Sequence, residues 1–196
     1  MGSKEIHIVF APLPEEDRDT ESAAHEFALR TAEKFRNEFG DNCFRLEITH
    51  LSNWNMASIT DKCTTDDSVK AINRIVVLLI SCGSDGSVHR SVRKTTKWLK
   101  EQEGKIESVA KTTCLVVLMG HSVCKTSAEQ MNDQVFSSGL RLAKALQNTF
   151  SLSESLPTAT APASLLRTQV EIEAPEDKFD CWLESWTKVL TAQIDT

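Results

Sequence analysis

Three short segments hold the residue types best suited to binding or chemistry. They are Thr20 and Ser22 at the end of an acidic stretch, the run Ser81-Cys82-Gly83-Ser84-Asp85-Gly86, and the pair Gly120-His121. Each follows an apolar run of strand character. Hydroxyls at the start of a helix suit a phosphate, because the free helix amides point there and the dipole favours an anion. The stretch Ala11–Ser22 opposes that use: Glu15, Glu16, Asp17, Asp19 and Glu21 stand against Arg18 alone, with two prolines and no glycine. A dianion beside carboxylates costs ~1 kcal/mol per close pair in water and more where solvent is excluded. The segment has the setting of a phosphate cradle and the wrong charge for one.

Other chemistries fit less well. Gly83-Ser84-Asp85-Gly86 lies between a strand and a helix, as a nucleophile elbow would, but the spacing is not G-x-S-x-G and no acid–histidine pair can be placed. Cys82, His89, His121 and Cys124 fall just past two runs that should be neighbouring strands, and two Cys with two His suit zinc. Without a CxxC clamp they read as unrelated buried and polar residues. Trp54 could stack on a planar ligand, although a tryptophan covering the core edge is the commoner arrangement. His7 and His50 carry no readable role, and His25 is expected to be solvated on the first helix.

The elements that must position these residues alternate between two hydrophobic periods. Strands are expected at 5–10, 44–49, 74–81, 113–119 and 166–173. Arg74–Ser81 and Thr113–Met119 are continuous apolar runs, as central parallel strands covered on both faces require. Phe44–Thr49 alternates Phe44, Leu46 and Ile48 with polar residues, as an edge strand does. Helices are expected over 20–39, near 66–73, and over 88–102, 130–148 and 175–194. Right-handed crossovers then give an α/β fold, a three-layer doubly wound five-stranded parallel sheet in the order 2-1-3-4-5. Residues 1–196 read as one domain, with 1–4 a cloning remnant or a disordered start and 151–163 a mobile loop rich in Ser, Thr, Ala and Pro. In such sheets ligands bind beyond the carboxyl ends of the strands, at the switch point beside strands one and three.

Composition narrows the function classes. The net charge of −6 opposes nucleic-acid binding, which needs clustered cations on phosphates. No apolar run approaches the ~20 residues of a membrane helix. Six scattered cysteines without an export signal read as reduced thiols, so a cytoplasmic location is expected.

Taken together, the loops and their order resemble a flavodoxin-like domain, nearest to the FMN module of NADPH-dependent diflavin reductases. Ser81–Gly86 is similar to that family's T-[YF]-G-x-G-[DE] loop, Val117-Leu-Met-Gly120-His121 to its F-G-L-G-[ND] exit, Lys97-Trp98-Leu99 to F-x-x-W-L, and Phe179-x-x-Trp182 to the final F-x-x-W helix. The resemblance implies an FMN held by Thr20, Ser22, Trp54, Ser81, Cys82, Gly83, Gly86, Gly120 and His121, carrying single electrons from a separate NADPH/FAD reductase. The departures lie in those same loops. The phosphate loop has no glycine, Cys82 replaces the aromatic, one glycine remains after strand four, and the chain has no tyrosine. The expectation is therefore a site weakened or lost, no cofactor, and a role as a protein-interaction module. FMN-dependent electron transfer is the alternative.

Helix three adds a charge feature. Arg90, Arg93, Lys94, Lys97 and Lys100 recur at helical spacing opposite an apolar face. A solvated surface is one reading. The other is a rim, acidic in the first loop and basic here, that steers a protein partner to the carboxyl ends of the strands. Arg90, Arg93, Lys94 and Lys97 are the partner-binding residues on that reading.

Overall fold

A computed structural model describes residues 4–14, 22–40, 44–56, 73–83, 85–106, 112–120 and 135–152, the backbone of 164–171, and residues 183, 184 and 187. The elements are β1 (Lys4–Ala11), α1 (Ala23–Phe39), β2 (Arg45–His50), β3 (Asn73–Cys82), α2 (Arg90–Gln102), β4 (Thr112–Gly120), α3 (Ser137–Phe150) and β5 (Ser164–Glu171). β1 to β4 pair in parallel in the order β2-β1-β3-β4. Ile8 lies opposite Ile48 on one side and Val77 on the other. The backbone of β5 runs parallel to β4, from Thr113 opposite Ser164 to Gly120 opposite Glu171.

The continuous apolar runs explain the centre of the sheet. Val76 to Ile80 and Cys114 to Met119 are essentially inaccessible, so alternate side chains of β3 and β4 fill two separate cores. One core joins Ile6, Ile8 and Phe10 to Ala24, Phe27, Ala28 and Phe35 of α1. The other joins Val76, Leu78 and Val116 to Val92 and Leu99 of α2 and to Leu142 and Leu146 of α3. Burial of a large apolar side chain is worth ~1.5–3 kcal/mol, so these two contacts hold the helices to the sheet.

Several boundaries differ from expectation for local reasons. α1 begins at Ala23 because Ser22 caps it, its Oγ accepting from His25 N at 3.2 Å. α2 begins at Arg90 rather than Val88, because Val88 forms a bridge with Cys82 and the His89 ring caps the helix. α3 is described from Ser137, and the expected start at 130 lies outside the described residues. β5 begins and ends two residues earlier than expected. Asn73 opens β3, while the rest of the short helix expected near 66–73 lies outside the described residues. Of the last expected helix only residues 183, 184 and 187 are described, all helical. Leu183 and Thr187 are buried, and Thr187 donates to the Leu183 carbonyl at 2.7 Å. Of the loop expected over 151–163, Ser151 and Leu152 are described. Among the described residues no helix is long and apolar enough to cross a membrane.

Candidate functional site

The sheet order makes the carboxyl ends of β1 and β3, with β2 and β4 beside them, the place to look for a site. Ser81 and Cys82 are the last two residues of β3 and are fully buried. Cys82 lies opposite Gly120 in the β3–β4 register. The β3–α2 loop then closes on itself. Gly83 N donates to Ser87 O at 2.9 Å, Gly86 N to Gly83 O at 2.9 Å, and Ser87 N to Asp85 Oδ1 at 2.9 Å. Gly86 holds φ of 78°, a conformation that glycine adopts without strain. Three loop amides are thus spent on the loop itself. The bonds from Ser87 also hold the Asp85 carboxyl below its ordinary pKa.

Two histidines shape the same end. His50 closes β2 and His89 precedes α2, and both are buried. His50 Nδ1 accepts from Ser52 N at 3.1 Å and lies 2.6 Å from Ser52 Oγ. His89 Nδ1 accepts from Ser91 N at 3.3 Å and lies 2.8 Å from Ser91 Oγ. Accepting at Nδ1 keeps the neutral ring's proton on Nε2. The rings meet edge to face with centroids 5.3 Å apart, and His50 also lies 5.4 Å from Phe10. His25 packs on Phe10 at 4.9 Å, so it is half-buried rather than solvated as expected. The pattern His-x-Ser occurs at both 50–52 and 89–91 and is the sequence signal for these two caps.

At Gly120, the last residue of β4, the side chains of Val135 and Phe136 lie close. A Cβ on Gly120 would come within 2.7 Å of Phe136 Cζ and 3.2 Å of Val135 Cγ1, so the Phe136 ring lies directly on the strand exit. Phe136 is 2% exposed and was not among the residues singled out from sequence. Trp54 is 8% exposed and belongs to the core with Val9, Ala11 and Cys82, where it covers the sheet edge, with Nε1 buried and without an acceptor among the described residues. Ser81 Oγ is likewise buried, with no partner among the described residues. The hydroxyl of Ser22 serves the α1 cap. Thr20 and His121 lie outside the described residues, as does Cys124.

Burial pushes the Cys82 and Cys114 thiols up to about 12. Thiolate is the nucleophile and the metal ligand, so Cys82 is suited to neither role. Among the described residues no group of three or more His, Cys, Asp or Glu could hold a metal ion. Iodoacetamide at mildly alkaline pH is expected to leave Cys82 and Cys114 unmodified in the folded protein and to label both in urea, as read by peptide mass spectrometry. Labelling of Cys82 in the native protein at the rate of an exposed thiol would contradict its burial.

The amino-terminal half of the sheet carries a second, polar arrangement. Glu5, His7, Arg45, Glu47 and Arg74 surround a cavity of about 290 Å³ that Trp54 also lines. Arg74 donates to Glu5 Oε2 from Nε at 3.1 Å and from a terminal nitrogen at 3.0 Å. His7 lies 3.4 Å from Glu47 and 3.7 Å from Glu5. Burial raises the Glu5 pKa, but the Arg74 bonds and charge, with His7, outweigh it and hold the carboxyl below its usual range.

On α2, Arg90, Arg93, Lys94 and Lys97 are all exposed. Arg93 and Lys97 line a cavity between α2 and α3, which Arg90 and Lys94 do not.

No protein-family model matches the sequence. No curated protein matches it either. Solved structures do resemble the fold. Oxidised flavodoxin 1 from Bacillus cereus superposes with a TM-score of 0.51 at 11% identity, covering 96% of this chain and 98% of that one. A short-chain flavodoxin associated with a non-canonical PDU bacterial microcompartment gives a TM-score of 0.51 at 9% identity, with 94% and 97% covered. Parallel order, element succession and near-complete coverage agree: the chain has a flavodoxin-like α/β fold.

Proposed function

We propose that this chain is a flavodoxin-like protein-interaction module, built as a five-stranded three-layer domain, in which the flavin site has been filled by the protein's own side chains. The observation that carries the reading is Phe136, whose ring closes on Gly120 where the strand-four exit would have to stay open for a flavin ring. The self-closed 83–87 loop adds to it, because the amides of Gly83, Gly86 and Ser87 already have acceptors. Trp54 is packed into the core rather than presented for stacking, and Cys82 is buried where the family places an aromatic. On this reading Phe136, Trp54 and the 83–87 loop together stand where FMN would have to sit.

The role left to such a fold is recognition. Arg90, Arg93, Lys94 and Lys97 on α2 would meet an acidic partner near the carboxyl ends of the strands, and the free buried Cys82 and Cys114 suit a reducing compartment such as the cytoplasm. The second reading is an FMN electron carrier of the kind found in diflavin reductases. The likeness of the fold to flavodoxins favours it. The two readings separate in one preparation. Purified protein incubated with excess FMN and then desalted should emerge colourless. Retention of one FMN per chain would overturn the interaction reading in favour of the carrier.

A further inference from the structure

The groove between α2 and α3 is unusual in what lines it. Arg93, Lys97 and Lys100 face it from α2 and Arg141 from α3, around a cavity of about 330 Å³ with the Thr96 and Ser138 hydroxyls at its sides. All four cations are exposed, and among the described residues no ion pair or hydrogen bond engages any of them. The neighbourhood is one-signed: across 90–102 and 137–150 the basic residues are Arg90, Arg93, Lys94, Lys97, Lys100, Arg141 and Lys144, against Glu101 alone. This gathers in a chain whose net charge is −6. Mutual repulsion among four unpaired cations works against folding, so nothing in stability favours their gathering.

The walls are fixed independently of any ligand. Ser138 Oγ donates to the Gly86 carbonyl at 3.0 Å at one end of the groove. Thr149 Oγ1 donates to the Leu99 carbonyl at 2.9 Å at the other. Between them Val92 is 1% exposed and forms a dry floor. Because both helices are pinned, an incoming chain would meet cations already in place.

We infer that this groove binds an extended acidic segment of a partner protein, with carboxylates on alternate residues set against Arg93, Lys97, Lys100 and Arg141. The inference rests on the interaction reading above and names the chemistry of the partner. Spacing supports an extended peptide. Arg93 and Lys97 lie one helical turn apart, ~6 Å along the axis, and alternate residues of a strand are ~6.6 Å apart. Nucleic acid fits less well, because the charge of the whole chain repels a phosphate backbone and the cavity has the volume of a few side chains.

The test is fluorescence anisotropy with a fluorescein-labelled peptide of six alternating Glu and Ser residues, at low ionic strength. Saturable binding to the native protein is expected. It should weaken at least ~10-fold in the double variant Lys97→Glu/Arg141→Glu, and fall as salt rises toward ~0.15 M, where the Debye length is about 8 Å. Far-UV circular dichroism and the urea midpoint establish that the variant folds. Because both residues are exposed and away from the cores, both measurements should match the native protein. The idea fails if the peptide does not bind, if the double variant binds it equally well, or if a single-stranded oligonucleotide displaces it at lower concentration. FMN retention by protein whose groove binds the peptide would overturn only the filled-site reading. Colourless protein that ignores the peptide would overturn only the groove.

Discussion

Phe136→Ala is expected to lower the stability of the domain by about 3–4 kcal/mol, seen as a large fall in the urea midpoint at unchanged slope. The ring is 2% exposed and lies in the core with Val88, Val135 and Leu118. Its removal sacrifices the burial of a large aromatic and leaves a cavity that the β4 exit can only partly close. The backbone is spared, because the Phe136 carbonyl that accepts from Leu140 N at 2.8 Å is present in any residue. Gly120→Ala tests the same contact from the other side. Its methyl would stand 2.7 Å from the ring, and overpacking of this kind costs ~1–3 kcal/mol. Combining the two should recover much of that second loss, because the methyl then enters the space the ring has left. Strict additivity, or a loss below ~1 kcal/mol for Phe136→Ala, would show that the ring does not occupy the strand exit.

Glu5→Gln is expected to cost about 2 kcal/mol near neutral pH and to flatten the acid side of the stability profile. Arg74 is 7% exposed and Glu5 21%, so removing the carboxylate takes a charged partner from a largely desolvated guanidinium. The figure sits below the usual range for broken buried pairs because water reaches part of Glu5. The folded pKa of Glu5 is depressed, so its stabilising contribution is complete above the unfolded value, near 4.5, and is lost as pH falls through the folded one. Urea midpoints measured from pH 7 down to pH 3 should therefore fall more steeply in the native protein than in Glu5→Gln. Parallel profiles would contradict the depression, and a neutral substitution at pH 7 would contradict the pairing.

The parts of this fold that were legible in the sequence are those where one physical demand dominates. Strands buried on both faces must be apolar throughout, which made β3 and β4 readable, and an edge strand must alternate, which made β2 readable. The order of the first four strands followed from right-handed crossovers between elements in sequence order. Helix starts were less legible where an unusual residue caps them. His89 caps α2 through its ring, and α3 follows Phe136 with no side-chain cap, so neither shows the Ser, Thr, Asp or Asn signal that Ser22 gives α1.

The candidate site was legible as a place rather than as a set of contacts. Ser81, Cys82, Gly83, Gly86 and Gly120 do converge at the ends of β3 and β4. The residues packed around that place are ones whose types gave no cue. His50 and His89 meet only because β2 and the β3–α2 loop end at the same edge, and Phe136 reaches Gly120 only through the packing of α3. The polar cluster of Glu5, His7 and Arg74 was missed because charged residues on an inner sheet face run against the strand pattern. In the basic helix, spacing showed a stripe. It could not show that Arg93 and Lys97 share a groove with Arg141, which belongs to a different helix.

If the protein's own side chains occupy the place of a flavin, FMN has no site to enter. Titrating native protein into a dilute FMN solution and following flavin fluorescence tests it most directly. No change in fluorescence beyond dilution is expected at protein concentrations well above those that saturate a flavodoxin-type site. Saturable quenching at one FMN per chain would contradict it.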